Sequence, residues 1–336
     1  MEKPKYIFAK GISIGYPKTR NRKENPLYKD LSFSLYQGEL VCLLGVNGAG
    51  KSTLLRTISA SQPALRGSIY LEDKDISTFS EKELSRHLGL VLTDKTSAGG
   101  LLVKELVELG RYPYTGFFGQ LTKQDNEVVQ KAMEDVRIAH KANSYIAELS
   151  DGERQKAMIA KSLAQECPLV ILDEPTAFLD IESRIEIMSL LHFLTKNQGK
   201  TILLSTHDVD TALLLADRLW LLSKEKGLES GVTEDIIISG KIEEFFKGEN
   251  ILFDKESGSF LPKRTSERKV FIKAEGYLFH WAKNLLERCG FEYTNDENNP
   301  FRITLQNPDS IKIRTADDNL VECKNFESLS DFLKNY

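Results

Sequence analysis

A glycine-rich loop behind an apolar run constrains this chain more than any other feature. Residues 39–44 form a run that predicts a fully buried strand, and residues 51–59 are typical of a helix. Six residues separate the two elements, and together with the first two residues of the helix they fit the pattern G-x-x-x-x-G-K-[ST]. The eight residues are Gly45, Val46, Asn47, Gly48, Ala49, Gly50, Lys51 and Ser52. A chance match in a chain of this length is on the order of one in a hundred. The strand before the loop and the helix after it make chance rarer still.

The residue types in this loop indicate phosphate binding. Glycines allow successive backbone N–H groups to curl around phosphate oxygens, and the helix that follows points its positive end at them. Lys51 would neutralise β- and γ-phosphate charge, and Ser52 would offer its hydroxyl to Mg²⁺.

A pair of carboxylates follows a second buried run. Residues 169–172 are apolar, and Asp173 and Glu174 come directly after them. Asp173 would hold Mg²⁺ through water, and Glu174 would orient and polarise an attacking water. Paired carboxylates at a strand end are common by chance, but downstream of a phosphate loop they become a strong signal.

The order of elements predicts an α/β fold. Short apolar runs at 169–172 and 202–205 flank a helical pattern at 181–196, which is typical of a parallel sheet with right-handed crossovers. Residues 31–35 alternate with period two, as in a strand with one buried face. We expect a P-loop NTPase fold with a mainly parallel core sheet, an N-terminal antiparallel β part and an inserted helical subdomain at about 95–165, plus a small α+β C-terminal domain.

Length and composition favour two domains and disfavour several functions. The chain has 336 residues, a net charge of −4 and a pI near 5.9, so a basic nucleic-acid surface is not expected. No apolar run approaches the roughly 18 residues that span a bilayer, and the start is unlike a signal peptide. We expect a cytoplasmic protein that meets a membrane only through a partner. The four cysteines lack metal-ligand or disulfide spacing.

A change in composition near residue 248 predicts a domain boundary. Residues 1–247 would form the ATPase domain, and 248–263 are polar, rich in helix and strand breakers, and predicted to be a linker. Residues 264–336 would be a small accessory domain, because a helix with an apolar face precedes short strand patterns and a closing helix. We expect this domain to regulate the ATPase or to support its dimer.

The segment Leu149-Ser150-Asp151-Gly152-Glu153 opens a predicted helix and is either an ordinary helix cap or an anion site. Together with the loop and the carboxylates, it resembles the nucleotide-binding subunits of ATP-binding cassette (ABC) transporters over roughly residues 5–247. By this resemblance, residues 45–52 are the Walker A loop, 149–153 the signature and 169–174 the Walker B strand.

The resemblance implies ATP and Mg²⁺ as cofactors and assigns further residues. Residues 177–180 resemble the D-loop, and His207 resembles the switch histidine at the γ-phosphate. Tyr16 lies where the family stacks a ring on adenine, and Tyr28 competes for that role. The catalytic residues implied are Lys51, Glu174 and His207, and the metal ligands are Ser52, Asp173 and Thr93. The nucleotide contacts implied are Tyr16, Gly45, Val46, Asn47, Gly48, Ala49, Gly50, Lys51, Ser52, Thr53, Ser150, Gly152, Glu153 and Asp180.

The sequence departs from the family pattern at two positions. Asp151 replaces the first signature glycine, and a carboxylate near phosphate is unfavourable unless it points away or caps the helix. The Q-loop glutamine of the family falls at Thr93, whose hydroxyl could still bind Mg²⁺ or a water, and Asp94 is the competing residue.

Residues 108–114, Glu-Leu-Gly-Arg-Tyr-Pro-Tyr, resemble importers of iron–siderophore, haem and cobalamin type. The resemblance implies a head-to-tail, ATP-bound dimer of two copies, an integral membrane permease, and indirectly a substrate-binding protein, with the ATPase peripheral on the inner face of the membrane. Nearby aromatic side chains would receive a permease helix or would fill the subdomain core. The alternative is a soluble cassette ATPase that serves DNA repair, translation or cluster assembly.

Overall fold

The computed structural model describes residues 4–18, 23–92, 100–116, 118–248, 250–255, 257–263 and 266–336. The chain divides into two compact units. The first comprises Met1–Phe245 with Lys255–Ser259, and the second comprises Phe246–Asp254 with Phe260–Tyr336. Within the described residues, every helix is too short or too polar to cross a membrane.

The first unit contains ten described strands in two sheets. In chain order, β1 to β10 are Lys5–Tyr16, Asn25–Tyr36, Leu40–Leu44, Ile69–Leu71, Lys74–Asp75, Leu88–Val91, Leu169–Asp173, Thr201–Ser205, Arg218–Ser223 and Gly227–Val232. The central sheet has the order β10-β9-β3-β8-β7-β6 and is parallel except for β10. The other sheet, β2-β1-β4-β5, is antiparallel. The predicted combination of a parallel core and an N-terminal antiparallel part is confirmed.

Burial explains why the central strands read as continuous apolar runs. All five residues of β3, of β7 and of β8 are buried, as expected for parallel strands covered on both faces. The two sheets share one core, in which Phe33 of β2 packs against Trp220 of β9 with ring centroids 5.2 Å apart. The carboxyl ends of β3, β7 and β8 are therefore fixed on a rigid base.

The described helices of the first unit include a separate group between β6 and β7. In chain order, α1 to α9 are Lys51–Ile58, Glu81–Leu84, Val103–Glu108, Lys123–Asp135, Asp151–Ala164, Ile181–Gln198, Val209–Leu215, Thr233–Ile238 and Lys241–Phe245. Helices α3, α4 and α5 pack on one another, which agrees with the predicted helical insertion.

Local sequence sets where these helices begin. The side chains of Thr122, Ser150 and Asp180 each accept a hydrogen bond from the backbone N–H three residues on, at the starts of α4, α5 and α6. Such caps satisfy N–H groups that the helix itself leaves unpaired, and each stabilises by roughly 0.5–2 kcal/mol.

The second unit is an α+β structure. Its strands β11 to β17 are Ile251–Asp254, Ser259–Pro262, Lys269–Lys273, Glu292–Tyr293, Arg302–Asn307, Ser310–Arg314 and Leu320–Cys323, and its helices α10 and α11 are Gly276–Arg288 and Phe326–Asn335. The main sheet has the order β14-β13-β15-β16-β17, with β13 parallel to both neighbours and the remaining pairs antiparallel. Its core is separate from that of the first unit.

Two expectations for this region differ from the structure. The interval 248–263, predicted to be a linker, holds the β11–β12 hairpin, because Phe253 is buried and its ring packs 4.9 Å from Phe260. Trp281 was expected on the buried face of α10, but 58% of it is exposed, whereas Leu278, Ala282 and Leu286 are buried. Its position on the helix places it beside the apolar stripe rather than within it.

Candidate nucleotide and catalytic site

The glycine-rich loop joins β3 to α1, as the sequence predicts. Gly48 and Gly50 have φ angles of 76° and 95°, in the left-handed region that glycine adopts without a Cβ penalty. The Tyr28 hydroxyl donates a 2.5 Å hydrogen bond to the Ala49 carbonyl and so ties the loop to β2. Within the loop Val46 and Asn47 are exposed; at the start of α1, Ser52 is half-buried and Thr53 is buried.

Lys51 lies at the centre of a cluster of polar side chains. Its ammonium donates to the Gly45 carbonyl at 2.9 Å, lies 3.0 Å from His207 Nε2, and is 3.7 Å from Glu174 Oε1. Burial lowers the pKa of Lys51, and the charges of Glu174 and Asp173 oppose that shift. The three predicted catalytic residues are thus brought together although they are far apart in sequence.

The contacts in this cluster exclude one another. His207 Nε2 is also 2.7 Å from Glu174 Oε1. This nitrogen can accept a hydrogen from Lys51 or donate one to Glu174, but a single tautomer cannot do both. The two contacts of this nitrogen are therefore alternatives, and at any moment His207 pairs with Lys51 or with Glu174.

The two carboxylates lie at the carboxyl end of β7. Asp173 is 7% exposed, and Glu174 has a φ of 49°, which is strained for a residue with a side chain. Beside them is a cavity of about 160 Å³, and its lining residues are Glu174, Thr176, Ala177, Phe178, Arg184, Thr206, His207 and Asp208.

The signature segment forms a reciprocal helix cap. Ser150 Oγ accepts from the Glu153 N–H at 3.2 Å, and Glu153 Oε2 accepts from the Ser150 N–H at 2.9 Å. The hydrogen bonds from Ser150 lower the pKa of Glu153. Gly152 is buried, and a Cβ there would lie 3.0 Å from Ser183 Oγ. Among the described residues, no hydrogen bond or ion pair joins this segment to Lys51, Glu174 or His207.

Asp151 is paired with a residue that sequence reasoning missed. Arg154 Nη1 donates to Asp151 Oδ1 at 2.7 Å, and its Nη2 donates to the Leu149 carbonyl at 3.1 Å. Aspartate followed three residues later by arginine on a helix is the signal that could have revealed this pair.

The two tyrosines that compete for adenine differ in exposure. Tyr16 is 51% exposed at the end of β1, whereas Tyr28 is buried and its hydroxyl is bonded to the loop.

In the segment that resembles the D-loop, the Asp180 side chain caps helix α6: its Oδ1 accepts a hydrogen bond from the Ser183 N–H at 2.7 Å. The backbone and side-chain hydrogen bonds from Ser183 lower the pKa of Asp180.

Some predicted residues lie outside the described part of the chain. Thr93 and Asp94, the two candidates at the Q-loop position, are among these. Phe117 is another; it belongs to the aromatic side chains near the importer-like segment, which are Tyr112, Tyr114, Phe117 and Phe118. Of the described members of that group, Tyr112 is 70% exposed and Phe118 is 87% exposed. These two rings are therefore exposed on the surface of the helical subdomain rather than buried in its core.

Two family models match the chain. Residues 28–177 match the ABC transporter model, and residues 267–334 match the model of an iron ABC transporter C-terminal domain. The first match contains the glycine-rich loop, the signature and both carboxylates. The second match lies within the second compact unit.

Among similar proteins, an uncharacterized ABC transporter ATP-binding protein of Methanocaldococcus jannaschii is 35% identical over 80% of this chain and 91% of its own length. The ferric enterobactin transport ATP-binding protein FepC of Escherichia coli is 37% identical over 70% of this chain and 84% of its own. The iron(3+)-hydroxamate import ATP-binding protein FhuC of Bacillus subtilis is 34% identical over 70% of this chain and 86% of its own length.

Solved structures agree with these matches. A chain from an ABC transporter of proposed metal-chelate type, in an inward-facing conformation, has a TM-score of 0.63 and 27% identity, and the match covers 77% of this chain and 97% of that one. A dimeric bacterial ABC transporter cassette has a TM-score of 0.59 and 25% identity over 68% of this chain and 98% of that one. With the fold and the site described above, these similarities show that the chain belongs to the ABC transporter family as one of its ATP-binding, ATP-hydrolysing subunits.

Proposed function

We propose that this subunit powers the import of an iron–siderophore, haem or cobalamin-type chelate through a membrane permease. A substrate-binding protein would deliver the chelate to that permease. Similarity to ATP-binding proteins named for ferric enterobactin and iron–hydroxamate transport supports the cargo class. The match to an iron ABC transporter C-terminal domain supports it independently, because that region lies outside the ATPase sequence. The protein would then work at the cytoplasmic face of the membrane, held there by the permease.

The observation that carries the catalytic part is the cluster of Lys51, Glu174 and His207 beside the phosphate loop. Loop N–H groups and Lys51 would bind the β- and γ-phosphates. Glu174 would take the proton of the attacking water, and His207 would contact the γ-phosphate. Glu174 and His207 both lie within 3.7 Å of the Lys51 ammonium, so a phosphate bound to Lys51 would replace these contacts and leave both side chains for these roles.

Asp173 at the carboxyl end of β7 and Ser52 at the start of α1 fit a magnesium ion. Asp173 and Ser52 offer a carboxylate and a hydroxyl oxygen, and Mg²⁺ prefers such hard donors. Among the described residues no group of three or more His, Cys, Asp or Glu forms a closed metal site. Few protein ligands are typical of Mg²⁺, which keeps several waters and binds substrate phosphates. When bound, the ion would neutralise charge on the phosphates, and Thr93 stays a proposed third ligand.

Tyr16 is the residue that we assign to adenine. Its ring is exposed at the end of β1, whereas the Tyr28 ring is enclosed and its hydroxyl is engaged with the loop. Stacking on Tyr16 would hold the base while the loop holds the phosphates. The preference for Tyr16 over Tyr28 therefore follows from accessibility.

The signature residues would complete the site of a second copy. Ser150 and Gly152 lie at the start of α5, and within the described residues no hydrogen bond or ion pair joins them to the Lys51 cluster of their own chain. In a head-to-tail dimer, these residues, with Glu153 and Asp180, would close over ATP bound to the partner. Similarity to a dimeric cassette supports this arrangement.

Reconstitution tests the transport function. The subunit is co-purified with its native permease, placed in liposomes with binding protein, and supplied with ferric siderophore, haem or cobalamin. We expect ATP-dependent uptake of one chelate class, and no uptake with Lys51→Ala in place of the native chain. An ATPase that co-purifies with no permease and drives uptake of none of the three would contradict the proposal and favour a soluble role.

A further inference from the structure

A single buried hydroxyl contacts both Walker B residues. Ser205 is the last residue of β8 and is fully buried, with no exposed surface. It pairs with Asp173 in the register of β7 and β8 and with Leu43 in that of β3. It therefore lies between the strand that leads into the phosphate loop and the strand that carries the carboxylates.

The hydrogen-bond directions at Ser205 are fixed by its partners. Its hydroxyl donates to Asp173 Oδ1 at 2.6 Å, because a carboxylate can only accept. Its oxygen accepts from the Glu174 N–H at 2.9 Å, because an amide can only donate. One side chain thus orients the Asp173 carboxylate and also holds the Glu174 backbone at its unusual φ of 49°.

We infer that Ser205 is a positioning residue for both carboxylates, setting the orientation of Asp173 toward the metal and the backbone geometry of Glu174. This inference rests on the proposed roles of those two residues. Ser205 would contact neither the nucleotide nor the attacking water, and it would act through Asp173 and Glu174. Outer hydrogen bonds that orient a metal ligand typically change metal affinity or activity by roughly 10–100-fold when they are lost.

A pair of variants with the same shape isolates the hydroxyl. Ser205→Thr and Ser205→Val add the same bulk to the buried site and differ only in whether an O–H is present. Thr201→Val is the matched control, because Thr201 lies at the other end of β8, is equally buried, and accepts a 3.0 Å hydrogen bond from the Gly38 N–H. Ser205→Ala is a smaller variant that removes the hydroxyl without crowding.

The measurement is Mn²⁺ binding by electron paramagnetic resonance in the presence of a non-hydrolysable ATP analogue, with nucleotide binding in EDTA as a second readout. We expect Ser205→Val and Ser205→Ala to weaken Mn²⁺ binding about tenfold or more. Ser205→Thr and Thr201→Val should stay within about threefold of the native chain, and metal-free nucleotide binding should be unchanged in all four.

Three results overturn the inference, and they are distinguishable. If Asp173→Ala weakens Mn²⁺ binding but Ser205→Val and Ser205→Ala do not, then Ser205 does not position the ligand, and the proposed metal site stands. If Asp173→Ala leaves Mn²⁺ binding unchanged, then the proposed metal site itself fails and the role of Ser205 fails with it. An equal loss in Thr201→Val would show a general effect of strand β8.

Discussion

At the scale of single residues, motif positions were predictable and their supporting residues were not. Lys51, Asp173 and Glu174 could be named because each belongs to a short local pattern whose chemistry is readable. Ser205 could not, because its significance comes from the register between β7 and β8, which pairs it with a residue 32 positions away. Arg154 was missed for a different reason: Asp151 was recognised as unfavourable near phosphate, but oppositely charged i,i+3 pairs are common on helices and the sequence does not show which of them form.

The Asp151–Arg154 pair predicts a measurable charge effect. Arg154→Ala removes the cation that faces Asp151, and the freed carboxylate would repel phosphate at the composite site. Two like charges about 4 Å apart in water repel each other by about 1 kcal/mol. Repulsion of this size between Asp151 and the phosphates would raise the KM for ATP roughly fivefold. Adding Asp151→Gly to Arg154→Ala should restore the native KM. Steady-state ATPase kinetics measure both, and a rise in KM that the second substitution does not reverse would contradict the charge explanation.

At the scale of elements, periodicity predicted which segments are helical but not which residues are covered. The helical pattern predicted at 181–196 is α6, and its apolar spacing includes Ile181, Ile185, Met188, Leu191 and Leu194. Met188, Leu191 and Leu194 are buried, whereas Ile181 is 74% and Ile185 is 52% exposed. A stripe is a property of one helix, whereas its burial depends on how far the neighbouring elements extend. The exposed half of the stripe directly follows the D-loop-like segment, so it lies at the surface that a second copy would cover in the proposed dimer.

A buried arginine joins three elements of the helical subdomain, and no sequence pattern marks it as structural. Arg111 is 4% exposed and donates to Asp125 Oδ1 at 2.8 Å, to Glu166 Oε2 at 2.6 Å and to the Ala164 carbonyl at 2.7 Å. It thereby joins the end of α3 to the start of α4 and the end of α5. Its ring contact with Tyr114, 4.1 Å from the guanidinium carbon to the centroid, explains why the Arg-Tyr-Pro-Tyr motif is structural as well as diagnostic.

Removing Asp125 should destabilise this subdomain in a pH-dependent way. Arg111 keeps its contact with Glu166 when Asp125 is removed, so Asp125→Ala deletes one charge-assisted hydrogen bond and should lower the free energy of unfolding by about 1.5–3 kcal/mol at neutral pH. Hydrogen bonds from Thr122 and the Arg111 guanidinium hold the pKa of Asp125 below its usual range. A lowered folded-state pKa contributes stability above the ordinary carboxyl pKa, and this contribution is lost as pH falls.

Denaturant unfolding at pH 7 and at progressively acidic pH tests this expectation. The difference between native chain and Asp125→Ala should shrink as the pH falls below about 4. Glu127→Ala on the same helix is the control, because Glu127 is 68% exposed and should change stability by under about 1 kcal/mol. A difference that is small at pH 7, or that stays constant with pH, would show that the ion pair does not support the subdomain.

At the scale of the whole molecule, the composition change near residue 248 predicted that the chain has two parts, but it did not predict their interleaved border. Residues 255–259 group with the first unit although Phe246–Asp254 groups with the second. The polar, breaker-rich composition of this border concealed the β11–β12 hairpin, whose apolar side chains are few and closely spaced. A shortened chain that ends after β12 keeps this hairpin intact, whereas one that ends before β11 removes it.

A chain that ends at Lys263 should keep its basal ATPase activity within a few-fold of the full-length protein. Every residue assigned to ATP chemistry lies before residue 208, and the β13–β17 sheet has its own core. ATPase assays and thermal unfolding of both chains measure this. Aggregation of the shortened chain, or loss of its nucleotide binding, would show instead that the second unit covers an apolar surface of the first.

Two copies of the chain are proposed to close head-to-tail around ATP, and the mass of a Glu174→Gln variant reports whether they do. This substitution keeps the shape of the side chain and removes the proposed base, so ATP should bind without being consumed. Light scattering in saturating ATP and Mg²⁺ should give a mass of roughly twice the 38.0 kDa of one chain. Without nucleotide it should give the mass of a single chain. A monomer at saturating ATP and Mg²⁺ would contradict the composite site.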